Sequence, residues 1–173
     1  MCRLFGFRSV IQSQVHHSLI SAENALEVQS NKQPDGWGVS YYTAGAPHVI
    51  RSEKTAVNDT IFKRVSGIVS SETVVAHIRN ATLGTVNILN THPFQYGNWI
   101  FAHNGNIKDF DKYRDKIIEK VSPHLKRFIL GNTDSEIIFY YILTNLSKKT
   151  ELSDRHCDIN ILQEAIQKSV QEL

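Results

Sequence analysis

The chain has 173 residues, is 41% apolar and 21% charged, and carries a formal net charge of +2, which suits one domain with its own core and a solvated surface. No lysine/arginine block or basic stripe with interleaved aromatics occurs, so nucleic acid is not an expected partner; no apolar run reaches membrane-span length, and the opening MCRLFGFRSVIQSQ lacks the features of a signal peptide. Two cysteines far apart, Cys2 and Cys157, make no disulfide framework, and a reducing, cytoplasmic location is expected.

In chain order, residues 3–10 (RLFGFRSV) read as a strand beginning at the N-terminus. Residues 16–30 place Leu19, Ile20, Ala22, Leu26 and Val28 at roughly helical spacing. Asn31 to Gly36 is a turn by its proline, aspartate and glycine. Two strands, Trp37 to Tyr42 and His48 to Arg51, follow around the small-residue turn Thr43 to Pro47. Val57 to Val65 reads as a short helix and the β-branched Thr73 to Ile78 as a strand. Asn98 to His103 is a further strand running into Asn104-Gly105, a strong turn signal. Lys108 to Lys120, Asp134 to Leu146 and Asp158 to Val170 read as helices. The second has Thr133 as N-cap with Glu136 three residues on, a capping-box pattern, and a wide apolar stripe that predicts burial against a sheet. Strands in adjacent runs rather than strand–helix alternation predict antiparallel sheets covered by helices, an α+β layered domain.

The second residue carries the first chemical signal. Loss of Met1 would leave Cys2 with a thiol and a free α-amine on one residue. Free α-amines titrate at roughly 7.7–8.0 and thiols at roughly 8.5, so a neutral amine beside the sulfur is a ready general base and no histidine is needed. With Met1 attached, Cys2 has an amide nitrogen and no such base. Three later segments stand out with it: Ala76-His77-Ile78-Arg79-Asn80-Ala81-Thr82, Phe101-Ala102-His103-Asn104-Gly105-Asn106-Ile107 and Gly131-Asn132-Thr133-Asp134-Ser135-Glu136. Arg79 suits a carboxylate, which a guanidinium meets with two parallel hydrogen bonds. Asn104 offers a side-chain amide and Gly105 an unhindered N–H. Taken alone, Asn104-Gly105 reads equally as a hairpin turn, Arg79 as a salt-bridged strand residue, and Asp134 as helix N-terminal charge.

Together and in this order, from Cys2 to about Leu146, the segments resemble the class II, N-terminal-nucleophile glutamine amidotransferases, with the nearest likeness to the stand-alone YafJ-like branch. Asp35-Gly36-Trp37-Gly38 resembles that family's early segment, with Gly36 and Gly38 allowing the chain close to Cys2 and Trp37 in the core. The resemblance implies a four-layer αββα sandwich of antiparallel sheets. It also implies hydrolysis of the glutamine γ-amide to glutamate and ammonia through a γ-glutamyl thioester on Cys2. Asn104 and Gly105 would form the oxyanion hole. Arg79 would bind the substrate α-carboxylate and Asp134 its α-ammonium, Thr82 would line the glutamine pocket, and His77 would support Arg79 from its face of the strand. His92 and His103 are expected to be packed or surface histidines. No metal or other cofactor is implied: there is no Cys-x-x-Cys, no HExxH and no glycine-rich phosphate loop.

Expected partners are glutamine or another γ-glutamyl small molecule and, for released ammonia, a synthase partner. Hydrolysis of a different γ-glutamyl compound, or a non-catalytic glutamine-binding domain, are the alternatives. The expected organisation is a single type-2 amidotransferase domain over residues 1–173. The family pattern runs tens of residues past the point matching Leu173, into further strands of the second sheet. The chain is therefore expected to be short, a fragment, or completed by strands from elsewhere, and missing strands would leave an exposed sheet edge.

Overall fold

The computed structural model describes residues 2–173, in two compact units that divide between Asn104 and Gly105. Met1, and with it the expected processing step, lies outside the described residues.

The first unit is built on a four-stranded antiparallel sheet of order β1-β4-β2-β3. Its strands are β1 (Arg3–Gln14), β2 (Trp37–Thr43), β3 (Ala46–Ser52) and β4 (Ser70–Ile78). A two-residue turn, Ala44-Gly45, joins β2 to β3 with positive φ at both residues (50° and 77°), the geometry whose twist matches a hairpin. Across β4, alternate residues Val74, Ala76 and Ile78 are fully buried and pack with Trp37, Val39 and Phe62 in the core. Trp37 lies in that core as expected. Its ring meets Phe62 edge-on at 5.0 Å, and its Nε1 donates to Asp59 Oδ2 at 3.1 Å. Asp59 also caps α2 (Thr60–Ile68) by accepting the Ile61 N–H at 2.9 Å, so one carboxylate ties the core tryptophan to a helix start.

The helix expected over residues 16–30 is replaced by one π-type turn (His17–Ser21) and a short α1 (Leu26–Gln29). Ala22 between them is extended, with ψ 150°. Leu19 and Leu26 still reach the core, so the apolar spacing is satisfied by two separate turns. The strand expected up to His103 is shorter. β5 (Phe94–Tyr96) and β6 (Trp99–Phe101) form a two-stranded ribbon, and the chain leaves the ladder after Phe101. Asn104-Gly105 is irregular chain, not a hairpin turn.

The second unit is helical: α3 (Phe110–Lys120), α4 (Pro123–Lys126), α5 (Asp134–Leu146) and α6 (Ile159–Gln171). All thirteen residues of α5 are buried, and within the unit it packs against α3, α4 and α6. Its polar residues are paired: Ser122 N–H donates to Thr144 Oγ1 at 3.0 Å and Asn145 Nδ2 to Ser169 Oγ at 3.0 Å. Thr133 caps α5 through the Glu136 N–H at 3.3 Å. The Glu136 carboxylate takes the N–H groups of Leu130 and Gly131 at 3.0 and 2.7 Å, pinning the approach to the helix.

Class and strand pairing match the sequence expectation of an α+β protein with antiparallel sheets. Among the described residues no helix is long and apolar enough to cross a membrane.

Candidate active site

The site in the first unit is assembled by strand register. β1 runs antiparallel to β4 with Arg3 opposite Ile78, so one step outward brings Cys2 to the level where β4 ends. There its thiol faces the main chain of Asn80. The Asn80 N–H donates to Sγ at 3.2 Å, and Sγ donates to the Asn80 carbonyl at 3.4 Å. The Cys2 carbonyl takes two further donors, Arg3 Nη1 at 3.1 Å and Asn104 Nδ2 at 3.0 Å. Cys2 is half-buried and Asn104 exposed.

Arg79, next to this peptide, is 3% exposed. Its guanidinium is turned onto the following turn, donating to the carbonyls of Leu83 at 2.9 Å, Gly84 at 3.4 Å and Thr85 at 3.0 Å. Burial pulls the Arg79 pKa below its usual value, while Cys2 and Asp35 nearby act the other way. Nη2 makes two of these bonds and Nη1 one, and a parallel two-bond fork needs an Nη2 N–H, so a carboxylate seeking it displaces a turn carbonyl. Thr82 is exposed on that same turn.

His77 is fully buried and packs against His92 with the rings tilted by 35° and their centroids 4.4 Å apart, and His92 in turn lies 4.6 Å from Phe94. Among the described residues the His92 ring nitrogens have no hydrogen-bond partner, and the group that acts on His77 as one is the His103 main chain. Burial, followed by the charges of Arg79 and His103, pushes His77 down to about 4; burial also drives His92 well below its ordinary value. Both rings are therefore neutral at pH 7. His77 lies in β4, two residues before Arg79, and both it and His92 are packed histidines.

Gly36 and Gly38 do not make room for Cys2. A Cβ on Gly36, whose φ is +124°, would lie 2.8 Å from Ser52 O, and one on Gly38 would lie 2.0 Å from His92 O. Their role is to admit β3's end and the 91–93 segment.

In the second unit, Asp134 is 3% exposed at the start of α5. Its Oδ2 accepts the Ile107 N–H at 2.7 Å, and its Oδ1 the Ser135 N–H at 2.7 Å and the Ser135 hydroxyl at 3.3 Å. An ionised carboxylate has about four acceptor positions, so one remains for a cation. Gly105 is exposed in the irregular 102–107 stretch.

Cys2 is thus brought against the main chain of Asn80 and the side chain of Asn104, 78 and 102 residues away in sequence, with Arg79 beside them in the first unit. Thr82 stands on the turn that Arg79 holds, and Gly105 and Asp134 belong to the second unit. Sequence reasoning missed Asn80, whose contribution is main-chain and carries no side-chain signature, and Arg3, whose adjacency to Cys2 was its one signal.

The family description "Glutamine amidotransferases class-II" matches residues 1–173. The chain belongs to the class II glutamine amidotransferases. Among curated relatives, Escherichia coli YafJ is 30% identical over 156 residues, covering 86% of this chain and 56% of that protein. The gamma-glutamyl-hercynylcysteine sulfoxide hydrolase of Mycobacterium tuberculosis is 32% identical over 115 residues, covering 61% of this chain and 49% of that one. Among solved structures, a glutamine aminotransferase class-II domain protein from Silicibacter pomeroyi matches with a TM-score of 0.64 at 21% identity, covering 97% of this chain and 63% of that chain; this likeness speaks to the fold. As a class II amidotransferase chain, this one spans about half the length of the curated relatives it matches (46, 54, 40 and 56% for four of them).

Proposed function

We propose that this chain is a glutamine-hydrolysing amidotransferase domain with Cys2 as nucleophile. The observation that carries the reading is that Cys2 meets both the Asn80 main chain and the Asn104 carboxamide, with the Arg79 charge near enough to feel the thiol. In this reading Met1 is removed and the freed α-amine of Cys2 takes the thiol proton. The sulfur attacks the γ-carboxamide carbon of glutamine. The developing oxyanion is stabilised by Asn104, whose amide keeps one N–H on the Cys2 carbonyl and offers the other, and by the Gly105 N–H. Collapse breaks the C–N bond, the α-ammonium returns its proton to the leaving nitrogen, and ammonia departs. Water then hydrolyses the γ-glutamyl thioester to glutamate. Arg79 binds the α-carboxylate by exchanging a turn carbonyl for it, Asp134 takes the α-ammonium at its remaining acceptor position, and Thr82 lines the pocket from the 83–85 turn. Both units act as one amidotransferase domain, a reading supported by the family match across residues 1–173. The ammonia passes to a synthase partner or is released. The setting is cytoplasmic, and no cofactor enters the chemistry.

A second reading keeps the same residues and changes the leaving group. The likeness to a hydrolase named for a γ-glutamyl sulfoxide supports a γ-glutamyl compound other than glutamine, because Arg79 and Asp134 read the glutamyl head and not what is cleaved from it.

The test is to incubate Met1-free protein with glutamine and measure glutamate, with Cys2→Ala alongside. Turnover lost in the variant, and one γ-glutamyl-type adduct on Cys2 from an electrophilic glutamine analogue, are expected. Full activity in Cys2→Ala would sink the mechanism. Adduct formation without glutamine turnover would favour the second reading, and binding with neither would mark a non-catalytic domain.

A further inference from the structure

We infer that Asp35 is a positioning residue for the nucleophile: it holds the far side of the same two peptide groups whose near side holds Cys2 Sγ. The inference rests on the reading of Cys2 given above.

The β4 ladder ends at Ile78, which pairs with Arg3 on one side and Trp37 on the other. Past that residue the chain has no regular strand partner, yet Asn80 must keep its main chain against a sulfur. Asp35-Gly36 supplies the missing bonds. The Arg79 N–H donates to Gly36 O at 2.8 Å, the Asp35 N–H donates to Arg79 O at 3.2 Å, and Asp35 Oδ2 accepts the Ala81 N–H at 2.8 Å.

Taken peptide by peptide, the pattern is reciprocal. The peptide joining residues 79 and 80 gives its N–H to Sγ and receives the Asp35 N–H on its carbonyl. The peptide joining 80 and 81 receives the thiol on its carbonyl and gives its N–H to the Asp35 carboxylate. A trans peptide points its N–H and C=O in opposite directions, so Cys2 and Asp35 grip opposite ends of both planes. Two of these Asp35-Gly36 contacts are main-chain bonds that any residue could make. The third requires an acceptor side chain at position 35. The bond to the Ala81 N–H fixes the plane of the peptide that follows residue 80 and so the direction of the Asn80 N–H, and that N–H, aimed at Sγ, stabilises the charged sulfur that attacks. Gly36 makes the placement feasible, because its φ of +124° turns the chain so that Asp35 meets residue 81 while residue 36 passes Ser52.

The experiment compares Asp35→Asn and Asp35→Ala with wild type, all Met1-free. Iodoacetamide, which has neither an α-carboxylate nor an α-ammonium, probes the sulfur alone, and peptide mass analysis separates Cys2 from Cys157. In Asp35→Asn the carboxamide oxygen still accepts the Ala81 N–H, so this variant should keep alkylation rate and kcat within about threefold of wild type. Asp35→Ala should slow Cys2 alkylation about tenfold, the effect of one hydrogen bond to a charged group. Its kcat for glutamine should fall about ten- to a hundredfold while KM stays within about threefold. Wild-type alkylation and kcat in a folded Asp35→Ala would overturn the inference, as would an Asp35→Asn impaired as much as the alanine variant. Should the alanine variant not fold, slow alkylation in Asp35→Asn still overturns the positioning role. A wild type that alkylates but makes no glutamate removes the proposed reaction, while the alkylation contrast still judges Asp35.

Discussion

Gly38 and His92 are in backbone contact: a Cβ built on Gly38 would stand 2.0 Å from the His92 carbonyl oxygen and 2.8 Å from Pro93 Cδ. The contact belongs to a row across the sheet, in which Gly38 is flanked by Arg51 on β3 and His77 on β4. The 91–93 segment lies along that row. Arg51 Nη1 holds Thr91 O at 3.1 Å, Gly38 admits His92 O, and the His92 ring packs tilted against His77. Gly38→Ala should therefore destabilise the protein by about 3 kcal/mol, because the obstructing atom is backbone and cannot swing aside. Urea unfolding measures it; a change within about 0.5 kcal/mol, the range of an ordinary surface substitution, would contradict the contact.

Stability should fall in mild acid because of His77. Its ordinary value of 6.5 holds in the unfolded chain, and burial, with Arg79 and His103 adding, takes it to about 4 in the folded one. Above about pH 6.5 both states are neutral and the group has no effect. Between about 6.5 and 4 the unfolded chain takes up a proton that the folded chain refuses, so stability declines as pH falls. Below about 4 the loss levels off at about 3 kcal/mol in all. His92 works in the same direction. The check is urea unfolding at pH 7 and 4.5 for wild type and His77→Phe. Wild type should lose more stability across that interval than the variant, and equal losses would contradict the assignment.

Arg79→Lys should separate substrate recognition from chemistry. An ammonium cannot form the planar fork on a carboxylate, and its three donors cannot serve the turn carbonyls and a carboxylate together. For glutamine, kcat/KM should fall about a hundredfold, mostly through KM. For 4-aminobutanamide, which is glutamine without its α-carboxylate, the variant and wild type should be alike. Equal losses on both compounds would show that Arg79 acts by holding the 83–85 turn rather than by reading the carboxylate.

The elements that sequence patterning placed well are those whose signal is local. The Ala44-Gly45 hairpin needs only two residues tolerant of positive φ, and α5 is announced by the Thr133 cap and a long apolar pattern. The failures come where a pattern serves a distant partner. Leu19 and Leu26 carry helical spacing, but each is satisfied by its own short turn under the sheet. Gly36 and Gly38 were visible as glycines. What they avoid, the Ser52 and His92 carbonyls, comes from later in the chain.

By itself the sequence determined the chemical inventory: a thiol one residue from the start, a guanidinium, a carboxamide and a carboxylate in an order matching one enzyme family. Residue identity and order are enough for that, because each functional group is limited to a few reactions. Only the tertiary structure decided how the sulfur is held. The bonds on Cys2 Sγ come from the main chain of Asn80, and every residue except proline has the same N–H and C=O. Which peptide meets the sulfur, and that Asp35 braces it from behind, follows from strand register, which one sequence does not display.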